Sequence, residues 1–554
     1  MAVTEHASAQ TTPDAGALLR QNQRDMNPSQ APSLVHPLHK SVAPESAPTP
    51  GEDALSFIVD AFHFTGANLV SEEELNRVVK PWLHRELHFS DLEQVSDAIS
   101  DAYRQHGWFV RVVIPEQDID HQIVTLQLLE AKFGTARVMG NAEHTRFRSQ
   151  ALVDIVTVRQ HTGDYIDLNS LERASNLLND FPGVTAGLSL APGKSTGLTD
   201  IIITAEDKPL LSGFLQADND GSRSTGTNRV NGSLSIDNLR GSGDQIGINT
   251  ISTLGSEYGS LRYSTPLFSD GLQLGAQWST MTYRLIGDFS SPNASGKAQT
   301  AGVFLSYPFL KSANRSATWN VAFDHKVYNN IANQQTISDK RVHELTLGLS
   351  TVFSAIDGGY VLLNSNVYLG RLDLSGDKAN EAADVTGPHT QGSFGKVGGN
   401  IVYLQPLPHN MNVSLSANTQ LALKNLDSSE KLSIGGKQGV TAYPSLEGSA
   451  DTGYVLVAEL SKEWRPGLQT SLAYDYGSVF INQHANYPGA SLLNHYSLSG
   501  IAAGVTFNKA RRYQFSANIG RKLGSNPAAN RSTGADSDGT TGQIRYWVSG
   551  SLYF

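Results

Sequence analysis

Several stretches pair residue types that do chemistry in other proteins, and each departs from the spacing that chemistry needs. His84 and His88 stand four apart around Glu86, but a zinc protease helix places the glutamate directly after its first histidine. These two histidines read as solvated side chains between helices. Gly193-Lys194-Ser195 carries the lysine and hydroxyl of a phosphate-cradling loop. Gly187, however, leaves five residues before Gly193 where the motif needs four, and a strand pattern follows where a helix must begin. Gly241, Gly243 and Gly247 echo a dinucleotide fingerprint, yet they lie between two strand patterns with no helix to receive a pyrophosphate, and they read as a turn. The chain has no cysteine, so disulfides and thiol chemistry are excluded. No nucleophile, base and orienting acid recur in a recognisable spacing. The expectation is a protein with no catalytic residue, no metal and no cofactor.

The elements around these stretches point elsewhere. The 554 residues carry 42 basic and 52 acidic side chains, a net charge of -10, and no basic cluster with interleaved aromatics, which argues against nucleic acid as a partner. No run of eighteen apolar residues is present, so a spanning helix is excluded and a closed barrel is the remaining way to cross a bilayer. Ala7-Ser8-Ala9 looks like the small-residue end of a secretory signal whose charged and apolar parts are missing, which sets Gln10 near the mature start.

Thr12 to Asp25 reads as a short helix with Pro13 in its first turn and Ala17, Leu18, Leu19 and Arg20 at its centre. Met26 to Glu52, rich in proline, serine and alanine, reads as an extended linker. Next comes a strand from Phe57 to Thr65, a helix marked by Leu75, Val78 and Val79, and a helix marked by Leu92, Val95, Ile99 and Tyr103 and stopped by Gly107. Strands Trp108 to Ile114 and His121 to Glu130 complete a small α+β unit. The order then repeats, with strand Phe133 to Met139, helices Phe147 to Val156 and Leu168 to Asn179, and strands Thr185 to Leu190 and Thr199 to Ala205.

After Leu210 the pattern becomes glycine-punctuated period-two alternation with no convincing helix. Met411, Val413, Leu415, Ala417, Thr419 and Leu421 fall on one face, and Asn412, Ser414, Ser416, Asn418 and Gln420 on the other. The 345 residues from Leu210 to Phe554 hold about sixteen spans of ~9–11 residues with their turns and loops. The last stretch places Tyr546, Val548, Gly550, Leu552 and Phe554 on one face, which suits a strand that seals a barrel.

Asp218-Asn219-Asp220-Gly221-Ser222, Asp237-Asn238-Leu239 with Gly243-Asp244, Tyr307-Pro308-Phe309-Leu310-Lys311 and Gly435-Gly436-Lys437-Gln438-Gly439-Val440-Thr441-Ala442-Tyr443-Pro444 together carry a resemblance. Through them, over nearly its whole length, the chain resembles the TpsB transporters of two-partner secretion, a branch of the outer-membrane assembly superfamily. The resemblance implies a mainly β protein: a sixteen-stranded transmembrane antiparallel β-barrel preceded by two α+β POTRA modules and an N-terminal plug helix. The expected division is 1–25 for the segment with the plug helix, 26–53 for the periplasmic linker, 54–131 and 132–208 for the two modules, and 209–554 for the barrel.

The stretch ending Gly439, Val440, Thr441, Ala442 and Tyr443 resembles the tip of the family's sixth extracellular loop, folded back into the barrel. Thr441 stands where the family has arginine, and Asp475 matches the aspartate with which that arginine pairs. A lone Asp475 facing the lumen costs little where water reaches it and more where the lumen is packed, and the expectation is a loosely held loop.

The resemblance further implies a Gram-negative outer-membrane location, periplasmic modules, and export of a large TpsA-type exoprotein without nucleotide hydrolysis. The expected protein is a monomer in outer-membrane lipid. Phe109, Val110, Arg111 and Val112 form a candidate sheet edge on which an extended exoprotein adds as a strand. An insertase that helps other barrels fold is the alternative, and a passive porin the third reading.

Overall fold

The computed structural model describes residues 13–26, 56–117, 122–140, 144–195 and 197–554. The expected signal remnant and the Pro-rich linker lie outside the described residues.

Helix α1 (Ala15–Met26) starts three residues later than the expected Thr12. Asp14 closes the first turn by accepting the Ala17 N–H at 3.0 Å, so Pro13 precedes the helix rather than opening it. The expected strand from Phe57 to Thr65 is two strands, β1 (Phe57–Ile58) and β2 (Ala61–Thr65). They separate because β1 pairs with β3 (Glu86–Leu87), while β2 runs parallel to β5 (Ile123–Glu130) in another sheet. Helices α2 (Glu72–Val79) and α3 (Phe89–Gln105) cover that sheet, and β4 (Val110–Val113) pairs antiparallel with the other side of β5. Leu75, Leu92, Val95, Ile99 and Tyr103 are all buried, as their helical spacing requires. Gly107 ends α3 at φ 83, a conformation that favours glycine.

The second unit repeats this plan. β6 (Lys132–Val138) is parallel to β8 (Leu198–Asp207), β7 (Val184–Pro192) is antiparallel to β8 on its other side, and α4 (Ser149–Thr157) and α5 (Leu168–Asp180) pack on the sheet. In both units the first strand lies beside the third and the second strand is an edge. His84 pairs with Asp60 at 3.0 Å in an exposed position, and His88 caps α3, so the two histidines serve local structure. Gly193 belongs to the bend between β7 and β8, and a strand follows it as expected.

Sixteen antiparallel strands then close into a barrel. On its first side lie β9 (Leu211–Asp218), β10 (Arg229–Asp237), β11 (Gln245–Ser252), β12 (Ser256–Pro266) and β13 (Gln273–Arg284). The tallest wall is β14 (Ser295–Lys311), β15 (Arg315–Ala332), β16 (Gln335–Ser354), β17 (Tyr360–Asp373) and β18 (Gly392–Leu407). Then follow β19 (Met411–Ala422), β20 (Thr452–Arg465), β21 (Leu468–Phe480), β22 (His495–Lys509), β23 (Tyr513–Lys522) and β24 (Ile544–Tyr553). β24 pairs with β9, and Phe554 and Gly213 exchange backbone hydrogen bonds at 3.1 and 3.0 Å, so the terminal residue completes the seam.

Leu415, Leu421, Tyr546, Val548, Leu552 and Phe554 all point outward, which fixes the apolar phase as the lipid face. The expectation of no helix after Leu210 is corrected by α6 (Lys378–Thr386) in the loop after β17. Asp377 caps it through the Asn380 N–H at 2.8 Å, and its Ala-rich sequence is a good helix former without the apolar stripe that marks a packed helix. The glycine turn is also narrower than expected: Asn238 to Asp244 connects β10 and β11 with Gly241 and Gly243 at positive φ, whereas Gly247 lies inside β11.

Candidate gate of the barrel lumen

Two segments occupy the lumen. α1 turns Ala15, Leu18 and Leu19 onto an apolar patch of the inner wall that includes Tyr258, Met281, Ala298, Tyr328 and Phe394. Its polar face is fastened at both ends. Lys340 on β16 pairs with Asp14 at 2.9 Å and with Asp427 at 2.8 Å, and the Ala15 N–H donates to Asn330 on β15 at 2.9 Å. At the other end Arg229 on β10 pairs with Asp25 at 2.5 Å and with Asp218 at 2.8 Å. Between them, Arg20 donates to Gln420 on β19 at 2.6 Å, and Arg24 donates to the Ser433 carbonyl at 3.1 Å. The four expected residues thus share one helix, with Leu18 and Leu19 on the wall, Arg20 on the polar side and Ala17 half-buried between.

The second segment is the loop between β19 and β20, which returns into the barrel with Val440, Ala442 and Tyr443 fully buried. Three glycines on neighbouring strands make this possible: Gly477 on β21, Gly500 on β22 and Gly520 on β23. A Cβ on Gly520 would lie 2.9 Å from the Ala442 nitrogen, one on Gly500 3.1 Å from the Ala442 Cβ, and one on Gly477 3.1 Å from Val440. The loop backbone therefore lies directly against the wall. Gly439, just before these residues, has no room for a side chain because the Ile434 and Gly435 carbonyls crowd it.

Asp475 is 1% exposed and accepts the Thr441 N–H through Oδ2 at 2.9 Å, while the indole N–H of Trp547 donates to the Thr441 carbonyl at 2.9 Å. Lys437 reaches Asp220 at 3.2 Å, and Glu447 accepts from Asn526 and from the Ser537 N–H, both at 2.9 Å. The lumen is packed at Asp475, and the expectation of a loosely held loop is therefore corrected. A backbone N–H replaces the missing guanidinium, and packing against the glycine strip holds the rest. Asp475 Oδ1 has no hydrogen-bond partner among the described residues, which is the remaining trace of the substitution.

The helix and the loop meet. Gly16 abuts Ser429, the Ser428 hydroxyl donates to Asp14 at 2.6 Å, and Glu430 pairs with Lys326 at 3.0 Å and with Lys396 at 2.5 Å. The period-two pattern had marked the lumen face only as wet. Lys326, Lys340, Glu344 and Lys396 were legible as charges in the inward phase of their strands, and the three glycines as breaks in strands, but not as partners.

Below the barrel, the second module docks on the turns between strands. Asp270, in the turn between β12 and β13, takes Arg159 at 2.9 Å, Arg173 at 3.1 Å and the Tyr307 hydroxyl. Arg173 also donates to the Pro308 carbonyl at 2.6 Å. Burial raises the Asp270 carboxyl pKa, but the Arg159 and Tyr307 hydrogen bonds and the Arg173 charge outweigh it and hold the group below the ordinary carboxylate range. The Arg148 N–H donates to the Gly241 carbonyl at 2.8 Å, so the glycine turn also serves this docking.

In the first module, β4 is an edge as expected, but Phe109 is not part of it. Phe109 packs against the core of the second module, and its carbonyl accepts the Ala131 N–H at 3.2 Å. That bond sets the alternation. Residues 109, 111 and 113 bond toward β5, and the N–H and C=O groups of Val110 and Val112 point to the open side. Arg111 extends into solvent.

Residues 197–507 match the family described as haemolysin secretion/activation protein ShlB/FhaC/HecB, and residues 57–131 match the ShlB-type POTRA domain. The chain is 26% identical over 527 residues to the heme/hemopexin transporter protein HuxB of Haemophilus influenzae (strain 86-028NP), covering 93% of this chain and 92% of the relative. It is 23% identical to the outer membrane transporter CdiB of Escherichia coli O6:K15:H31 (strain 536 / UPEC), covering 81% of this chain and 76% of the relative. The solved structure of CdiB from Escherichia coli superposes with a TM-score of 0.69 at 20% identity over 96% of both chains, and that of CdiB from Acinetobacter baumannii with 0.66 at 17% over 100% of both. These structures share the fold of a closed barrel with amino-terminal modules. The chain belongs to the ShlB/FhaC/HecB haemolysin secretion/activation family, the outer-membrane transporters of two-partner secretion.

Proposed function

We propose that this transporter exports one large partner exoprotein, of the haemolysin, haemagglutinin, adhesin or contact-dependent toxin type, without nucleotide hydrolysis and as a monomer in outer-membrane lipid. The carrying observation is a lumen filled by a separate helix, α1, whose wall contacts include ion pairs and hydrogen bonds that water or a passenger can replace. Between Met26 and Ser56 the chain has 29 residues, and an extended chain covers ~3.1 Å per residue, enough to let the helix leave the lumen while remaining tethered. The division into plug, linker, two modules and barrel at 25/26, 53/54, 131/132 and 208/209 is supported by sheets that fall wholly within those bounds.

The passenger enters as an extended strand on the open side of β4, pairing with Val110 and Val112 and passing Arg111. Loop residues Gly439 to Tyr443, anchored on Asp475, form the part of the gate that stays attached to the wall. Folding of the passenger outside supplies the direction. The test is secretion in a host lacking both genes. Passenger in the medium only when this chain is co-expressed supports export, and passenger retained while other barrels assemble better overturns it in favour of an insertase.

A further inference from the structure

On the lipid face of the tallest wall, the strand register stacks two kinds of row. One row across β14 to β17 is Val303, Phe323, Leu345 and Leu369. The next row toward the cell exterior is Ala301, His325, His343 and Arg371, and the one above it is Gln299, Val327, Arg341 and Asp373. All occupy the outward phase of their strands. The imidazoles of His325 and His343 lie 4.6 Å apart between centroids, tilted by 31°, with their Nδ1 atoms 3.4 Å apart, and His343 stacks on Phe323 below it.

Depth follows from the chain itself. Arg315, also outward, begins β15 ten residues before His325. Ten residues at ~3.4 Å, tilted about 40°, give roughly 26 Å of height, the apolar band of an outer-membrane barrel. Arg315 and His325 therefore bracket the membrane, and the His325, His343, Arg371, Arg341 cluster sits at the level of the outer headgroups. Among the described residues the guanidinium groups of Arg341 and Arg371 make no hydrogen bond or ion pair within 4.0 Å. Asp373 stands opposite Arg341 and accepts the Ser375 N–H at 2.9 Å, and its charge also acts on Arg341 and Arg371, so it offsets part of the cluster's positive charge.

We propose that Arg341 and Arg371, with His325 and His343, bind the phosphorylated sugar headgroup of an outer-leaflet glycolipid whose acyl chains lie along Phe323, Leu345 and Leu369. Guanidinium groups match phosphate oxygens in pairs, the imidazoles add donors, and the apolar row beneath offers the chains an oily surface. The proposal rests on the outer-membrane location and is independent of which exoprotein is exported.

The test is native mass spectrometry of the full chain in detergent with three probes: diphosphoryl lipid A, the same lipid with its phosphates removed, and phosphatidylglycerol. The wild type is expected to retain diphosphoryl lipid A in preference to the other two. The double variant R341Q/R371Q should retain about thirty-fold less, and R521Q, which removes an outward arginine on β23, should retain as much as the wild type. Equal retention of the dephosphorylated lipid, equal retention by the double variant, or an equal loss in R521Q overturns the proposal. Equal retention of phosphatidylglycerol overturns the assignment to a glycolipid. Should the double variant fail to fold, the wild-type preference for the phosphorylated over the dephosphorylated lipid decides alone. Unchanged secretion alongside failed retention leaves the export reading standing and removes only this one.

Discussion

Leu19→Ala is the sharpest probe of the plug. Leu19 is 1% exposed and, with Ala15 and Leu18, supplies the apolar side of α1. Truncating a buried leucine costs 2–5 kcal/mol in a closed core, and a lumen that water can refill lowers the cost to about 2 kcal/mol. The polar fastenings at Asp14, Arg20 and Asp25 are untouched, so this loss falls on the docked state alone. At 1.4 kcal/mol per tenfold, the ratio of undocked to docked helix rises about thirty-fold. Single-channel recording of the purified protein in planar bilayers reads that ratio as open probability. The expected result is about thirty-fold more open time in Leu19→Ala and no change in Leu492→Ala, a fully exposed loop position. Equal open probability in Leu19→Ala and wild type would refute the idea that α1 obstructs the pore.

Asp475→Asn keeps an acceptor for the Thr441 N–H and should shift the heat-unfolding midpoint of the barrel little. Asp475→Ala leaves that N–H buried and unpaired, a cost of ~1–3 kcal/mol, and should lower the midpoint; equal midpoints would show that the bond does not hold the loop. Gly520→Val places side-chain atoms against the Ala442 backbone and should expose the loop to protease in intact cells, with the wild type expected to resist; equal resistance of the two would refute the packing. Val112→Pro removes one open-side N–H from β4 without touching the bonds to β5, and should cut secretion while the barrel still folds, as judged by gel mobility before and after heating. Because the Asp270 carboxyl is depressed in the folded protein, its contribution to docking is present above the ordinary aspartate value near ~4 and lost as pH falls through the lowered one. Cleavage near residues 208–210 should therefore stay slow from neutral pH to about 4 and rise below it. A rise already between pH 7 and 5 would contradict the assignment.

The sequence by itself determined the periodicities. Leu92, Val95, Ile99 and Tyr103 could only be one face of a helix, and the alternation in 411–421 could only be a strand with an oily and a wet side, because helix and strand repeat at 3.6 and 2 residues. Its length allowed about sixteen strands, the number that the resemblance implied, and its alternation separated an oily from a wet face of each strand. Its errors were local competitions. Asp14 rather than Pro13 starts α1 because a side-chain acceptor satisfies a free N–H, and α6 escaped notice because an Ala-rich loop helix has no apolar stripe. Tertiary structure alone decided the partners. That Lys340 bridges Asp14 and Asp427 and that Asp270 gathers two arginines and a tyrosine follow from docking of the helix, a loop and a module on the barrel, and that Gly477, Gly500 and Gly520 fall on one diagonal, each two residues out of register with the next, follows from the pairing of three strands. The sequence showed Thr441 in place of an arginine, and from the charges alone a loose loop followed. The folded-back loop brings the Thr441 backbone N–H to the Asp475 carboxyl and packs on the glycine strip, and a 2.9 Å hydrogen bond with close packing needs no guanidinium to hold a loop.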